Sequence, residues 1–227
     1  MDTFSEVERT LFTYETHGAL LKSKFANAKE VNRNYSQALQ DIFVLSMLNG
    51  KKSGTYVEIG AGHPTNINNS YLLESVFGWR GVSYEIQEDL ANYFNAVRDN
   101  RCVRADATAV DYTKSFESSK LPPQIDYLQV DIDPSEQSLA SLKRLDLDKY
   151  RFSVITFEHD AYQGKHHVVA ESRKILKSYG YQCVASNVKN QGHPFEDWYV
   201  DPSIVSSNVW SRFACDSATC HDVLFAA

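Results

Sequence analysis

The stretch that most constrains this chain is Tyr56-Val57-Glu58-Ile59-Gly60-Ala61-Gly62, where a β-type apolar run opens directly into two glycines one residue apart. A strand over Thr55 to Ile59 ends at the carboxyl edge of a sheet, and Gly60 and Gly62 let the backbone turn there and approach a ligand with no Cβ in the way. Asn68, Asn69 and Ser70 follow as helix-capping types, and Tyr71, Leu72, Leu73, Val76 and Phe77 form an apolar helical face that stops at Gly78. A second strand, Gly81 to Tyr84, ends at Glu85, 23 residues after Gly62. A carboxylate there accepts hydrogen bonds from both ribose hydroxyls of a nucleoside. A lone Gly-x-Gly would read as an ordinary turn; the acid at the end of the next strand favours nucleoside binding.

The third glycine position narrows the nucleoside. A dinucleotide fingerprint continues to a third glycine, where a helix start meets a pyrophosphate, but Thr65 stands there. The turn Gly62-His63-Pro64-Thr65-Asn66 is long and polar and offers no tight diphosphate nest. Adenosine without a diphosphate fits better, which points to S-adenosylmethionine (SAM) and away from NAD.

The rest of the chain alternates strands with helices, the pattern of a mostly parallel sheet covered on both faces. A helix over Tyr35 to Asn49 carries Leu39, Ile42, Phe43 and Met47 and stops at Gly50. Strands are expected at 55–59, 81–85, 102–104, 125–130, 152–157, 181–185 and 198–200, the last two forming a hairpin, which makes a seven-stranded sheet. Residues 1–227 read as one domain: an N-terminal helical region to 54 over the cofactor site, a core from 55 to 202 and a C-terminal extension from 203. Acids outnumber bases 29 to 23, a net charge of −6 with no dense Lys/Arg cluster, so nucleic acid is not an expected partner. No apolar stretch reaches membrane-spanning length and no leader pattern opens the chain, so a cytoplasmic enzyme with no membrane partner is expected. Cys102, Cys183, Cys215 and Cys220 lack the paired spacing of a metal site and read as free thiols.

The glycine stretch has company. Tyr35-Ser36-Gln37-Ala38-Leu39-Gln40-Asp41, then Tyr56 to Gly62, Leu73-Glu74, Phe77-Gly78-Trp79-Arg80-Gly81, Glu85, Asp131-Ile132-Asp133 and Phe195-Glu196-Asp197-Trp198 resemble, in order, the motifs of FkbM-type SAM-dependent methyltransferases over about Tyr35 to Pro202. The resemblance implies an α/β, Rossmann-like class I methyltransferase fold and methyl transfer to a hydroxyl of a sugar, glycan or secondary metabolite. It also implies that Glu85, with Ile86, takes the ribose, that Asp106 with Ala107 meets the adenine, and that Gly60-Ala61-Gly62 passes the methionine part. Pro134-Ser135-Glu136 departs from the Gly-x-Glu the family often has there, which bears on the acceptor pocket.

Ligands of open α/β sheets bind beyond the carboxyl ends of the strands, and here each such end carries a polar residue: Glu58, Glu85, Asp106, Asp131 and Glu158-His159-Asp160. Glu58, Asp131 and, from the helix before the first strand, Gln37 and Gln40 join the cofactor contacts. A general base contributes roughly 10²–10⁴-fold, and Asp131, Asp133 and His159 are the candidates; His159 is attractive because an unperturbed imidazole titrates near working pH. Asp131, Glu158 and Asp160, with Asp133 beside them, also make a set of hard oxygen ligands for Mg²⁺ and a diol acceptor. Trp79, Tyr162, His193, Phe195, Trp198 and Tyr199 are candidates to line a carbohydrate pocket, with core packing as the alternative.

Overall fold

A computed structural model describes residues 11–226. Five strands lie parallel: β1 (Thr55–Ile59), β2 (Arg80–Glu85), β3 (Arg101–Arg104), β4 (Gln124–Val130) and β5 (Arg151–Glu158). β6 (Gln182–Asn190) and β7 (His193–Val200) form an antiparallel hairpin, and β8 (Cys215–Asp216) pairs parallel to β6. The sheet order is β3-β2-β1-β4-β5-β7-β6-β8, so it has eight strands where seven are expected. β8 is two residues long, too short to leave an alternation in the sequence. Gln191 and Gly192, both at positive φ, close the hairpin in two residues, the geometry that matches strand twist.

β1, β4 and β5 are buried almost throughout, and their runs are correspondingly apolar on both faces. Alternate residues feed two cores: Tyr56, Tyr127 and Val154 face one side, Val57, Leu128 and Ile155 the other. The first side is covered by α1 (Tyr14–His17), α2 (Gln40–Met47), α3 (Tyr71–Ser75), α8 (Ser207–Trp210) and α9 (Cys220–Leu224). The second carries α5 (Tyr112–Ser118), α6 (Ser135–Leu142) and α7 (His166–Ser178), while α4 (Glu88–Val97) buries Ala91 and Phe94 beside β3. No helix among the described residues is long and apolar enough to cross a membrane.

The helix before β1 starts at Gln40, not Tyr35. Asp41 explains the late start: its Oδ2 accepts from the amides of Tyr35 and Ser36, and its Oδ1 accepts from Ser36 Oγ at 2.6 Å, so the side chain captures the preceding loop while Leu39 turns through φ 68°. The expected N-terminal region and its leader reading fall in part on residues 1–10, outside the described residues. From Phe12 onward that region packs with the C-terminal segment: Leu21 bridges Phe225, and Lys22 Nζ donates to the Asp222 carbonyl.

Candidate cofactor and acceptor site

At the end of β1 the backbone turns through Gly60, at φ 84°, where an added Cβ would lie 1.8 Å from the Asp131 carbonyl oxygen. Only glycine fits. The amides of Gly60 and Ala61 both donate to the Tyr84 carbonyl, at 3.1 and 3.0 Å, which pins the turn to β2. Gly62 also has a positive φ, 57°, but a Cβ there meets nothing within 4 Å. Glu85, 7% exposed, accepts from the Gly62 amide through Oε2 and from the Gln87 amide through Oε1, each at 2.8 Å. Each oxygen keeps a further lone pair for a ligand hydroxyl.

Behind the turn, Asn68 Nδ2 donates to the Ala61 carbonyl, and its Oδ1 accepts from the amides of Ser70 and Tyr71 at the start of α3. Arg98, buried over the Phe94 ring, donates to that same Oδ1, to the Pro64 carbonyl at 2.8 Å and to Glu74 at 2.6 Å. Sequence reasoning missed Arg98. An arginine after a helix reads as a solvated charge, and its partner Glu74 lies 24 positions away.

A cavity of about 590 Å³ opens across the carboxyl ends of β1 to β4. Gly60, Ala61, Gly62, Glu85 and Ile86 line its middle, Asp106 and Ala107 one end, and Asp131 and Asp133 the other. Asp106 Oδ1 accepts from the amide and hydroxyl of Thr108, which holds its exposed carboxyl below the usual range. Three expected cofactor contacts lie elsewhere. Glu58 turns away from the cavity into the interior, where it accepts from Ser83 Oγ at 2.7 Å; burial raises its carboxyl, offset in part by Arg98. Strand alternation sends it there, since its neighbours Val57 and Ile59 face the opposite side. Gln37 lines a second hollow instead, and Gln40 is buried, its Oε1 accepting from the Ala38 amide at 2.8 Å.

That second hollow, about 170 Å³, is lined by Gln37, Glu158, Asp160, Tyr162, His193 and Phe195, with Asn190 and Gln191 at its edge. Three of the aromatic candidates therefore reach a cavity, whereas Trp79, Trp198 and Tyr199 are core residues. Glu158, at the end of β5, lies in the field of Asp131 and Asp160. Burial, then the charges of Asp131 and Asp160, push its carboxyl well above the usual range. Asp131 and Asp160 are themselves raised, by burial first and then by neighbouring acids. Mg²⁺ takes carboxylates as anions in near-octahedral geometry. No group of three His, Cys, Asp or Glu side chains among the described residues is placed to hold a metal ion. The expected Asp131, Glu158, Asp160 set does not fit the ion.

His159 also departs from expectation. Its side chain is fully buried, Nδ1 accepts from the Ala161 amide at 3.2 Å, and Nε2 therefore bears the hydrogen shared with Asp197 at 3.1 Å. Asp197 accepts in addition from Arg173, Tyr199 and the Asn187 amide. Burial alone would raise the Asp197 carboxyl, but Arg173 and His159 hold it well below the usual range. With both ring nitrogens engaged and its side chain lining neither the cavity nor the hollow, His159 is a buried structural group and not a base.

No protein-family model matches the chain, and no curated protein does. Solved structures do. A putative rRNA methylase from Clostridium thermocellum superposes with a TM-score of 0.52 at 12% identity, covering 74% of this chain and 96% of that one. Fibrillarin from Aeropyrum pernix, solved with natively bound SAM, gives 0.48 at 14% identity, over 74% of this chain and 77% of that one. The likeness is one of fold: this chain has the Rossmann-like methyltransferase fold, mostly parallel with late antiparallel strands.

Proposed function

We propose that this chain transfers a methyl group from SAM to a hydroxyl of a sugar, glycan or secondary metabolite, in the manner of the FkbM-type enzymes its motifs resemble. The observation that carries the reading is the cavity across the carboxyl ends of β1 to β4, which brings Gly60 to Gly62, Glu85, Asp106 and Asp131 to one surface in a methyltransferase fold. Glu85 would take the ribose hydroxyls, Asp106 and Ala107 the adenine edge, and the glycine turn the methionine part. SAM supplies an electrophilic methyl on a cationic sulfur, so the protein's main task is to align an acceptor with it, worth on the order of 7–11 kcal/mol.

The adjoining hollow suits a polyhydroxylated acceptor. Tyr162 and Phe195 offer apolar faces for C–H groups, while Gln37, Asp160 and Asn190 offer partners for hydroxyls. The Clostridium thermocellum neighbour is described as an rRNA methylase, but the acids Asp131, Asp133, Glu158 and Asp160 around this site oppose a phosphate backbone. The direct test is incubation with methyl-labelled SAM and a panel of nucleotide sugars, oligosaccharides and RNA. Methylated oligosaccharide is expected. Label confined to RNA or to protein lysines overturns the reading, and SAM binding with no acceptor labelled makes a catalytically silent binding domain the better account. Glu85→Ala should weaken SAM binding by about 1.5–3 kcal/mol, the range for hydrogen bonds to a charged group, while the protein remains folded; unchanged affinity in calorimetry removes the nucleoside assignment.

A further inference from the structure

The loop after the glycine turn holds one side chain in a conformation that its type avoids. Ile67 has φ 52°, and among the described non-glycine residues at positive φ it alone has a β-branched side chain. Branching at Cβ makes this region a true outlier, kept only where neighbouring structure imposes it. Core packing does not offset the cost, because Ile67 is half-buried and belongs to none of the apolar clusters formed by the described residues. It lines the cofactor cavity instead.

The groups that impose this conformation grip the chain on both sides of Ile67. Arg98, its side chain completely buried, lies over the rings of Phe94 and Tyr71, 4.4 and 5.1 Å from its guanidinium carbon. Its Nη1 donates to the Pro64 carbonyl at 2.8 Å and to Asn68 Oδ1 at 3.1 Å. Asn68 is held again through its amide, which donates to the Tyr35 carbonyl at 3.0 Å, and through Nδ2, which donates to the Ala61 carbonyl at 3.1 Å. Before Ile67, the amides of Thr65 and Asn66 donate to His63 Nδ1. The bond from Asn68 to Ala61 sets Ile67, one residue earlier, beside the glycine-turn end of the cavity.

We propose, on the reading of this cavity as a SAM site, that Ile67 is a clamp for the methionine part of the cofactor and Arg98 the positioning residue that holds it in place. In that reading the glycine turn receives the methionine part, and Ile67 stands beside the turn. Strain of this kind collects at ligand clamps, where a bound molecule supplies the contact that the fold does not. The apolar side chain gains its burial from the aliphatic chain of the ligand. Adenosine, which lacks that chain, does not reach it.

Ile67→Gly tests the clamp because its two readouts should move apart. Glycine enters the left-handed region freely, so the melting temperature should hold or rise. SAM and its demethylated product should bind about tenfold more weakly in calorimetry, the scale of burying part of an aliphatic side chain, while adenosine binds both proteins equally. Unchanged SAM affinity overturns the clamp. So does a loss shared equally by adenosine, or a fall in melting temperature, either of which makes Ile67 a packing residue. Arg98→Lys keeps the charge but loses the planar fork that reaches Pro64, Asn68 and Glu74 together. It should weaken SAM binding on its own and add nothing to Ile67→Gly, the non-additivity of a residue that acts through another. Additive losses overturn the positioning role, and should Arg98→Lys fail to fold, Ile67→Gly still decides the clamp. A wild type that binds no SAM removes the cofactor reading and the clamp together, whereas SAM binding that Ile67→Gly leaves unchanged removes the clamp alone. SAM binding with the expected losses but no acceptor methylated ends the transfer reading and leaves the clamp standing.

Discussion

On the β1 to β3 side of the carboxyl edge, the groups that shape the cavity are backbone amides and two acids, Glu85, whose oxygens are bonded to the Gly62 and Gln87 amides, and Asp106, bonded to Thr108. On the β5 to β7 side the groups are side chains: His159, Glu196 and Asp197, all buried and lining neither cavity, and the half-buried Glu158 at the hollow. The first side is determined by what the chain can do locally, a strand, a left-handed turn and a helix cap. The second is determined by which titratable groups the fold buries together, and each survives there through a partner or a proton.

The sharpest way to break the backbone-built side is Gly60→Ala. A Cβ 1.8 Å from the Asp131 carbonyl is a clash of backbone against backbone that no rotamer relieves, and positive φ adds about 1–2 kcal/mol. The sum should exceed the upper end of ordinary point substitutions, about 4–5 kcal/mol, and abolish SAM binding. Gly62→Ala shares the φ cost without the clash, because nothing lies within 4 Å. It should cost only about 1–2 kcal/mol in chemical denaturation. Equal losses in the two variants would show that the close approach to Asp131 does not set the turn.

The same contrast explains what the sequence discloses. Gly60, Gly62 and Glu85 are readable because a strand, a turn and the end of the next strand fix their roles within 26 residues. The mostly parallel sheet is readable from alternating strands and helices, and the late hairpin from two final strand patterns, though its turn at Gln191-Gly192 is not among the signals read. His159 is misread because an imidazole after a strand looks solvent-facing until Asp197, 38 positions on, is seen beside it. Glu58 is misread because alternation within a buried strand leaves open which face meets the ligand. Arg98 leaves no local signal, since only tertiary packing turns a polar side chain into a bonded core group.

On the charge-built side the largest effect is expected at Asp197. Asp197→Ala removes the common acceptor of His159, Arg173, Tyr199 and the Asn187 amide. Breaking a buried charged pair by deleting one member costs about 3–5 kcal/mol, somewhat less here because Arg173 is partly exposed. The loss is read by chemical denaturation, and a cost below about 1 kcal/mol, the scale of an exposed ion pair, would mean that the β5–β7 junction does not depend on this centre.

The smallest effect sharpens the comparison by its sign. Glu196 and Asp197 are neighbours on β7, both buried, yet their carboxyls are displaced in opposite directions: Asp197 downward by Arg173 and His159, which outweigh its burial, and Glu196 far upward by burial, with Trp198 Nε1 donating to it and Asp131 adding to the rise. A depressed carboxyl contributes stability above its unfolded value, about 3.9 for Asp, and loses it as pH falls toward the folded value. A raised carboxyl does the reverse: its contribution is complete below about 4.3, the unfolded value for Glu, and is lost as pH rises through the folded value. Glu196→Gln imitates the protonated form at every pH, keeps an oxygen for Trp198, and removes this share of the loss. Its melting temperature should exceed that of the wild type by a few degrees at pH 8, with the gap closing by pH 5; the remaining slope belongs to Glu158, Asp131, Asp160, Glu58 and Asp41, which are also raised. Thermal melts across that range decide the matter. A gap that is constant with pH, or that widens toward pH 5, would show that Glu196 is held as an anion like its neighbour, and that the two sides of the sheet edge do not differ in the way their charges are kept.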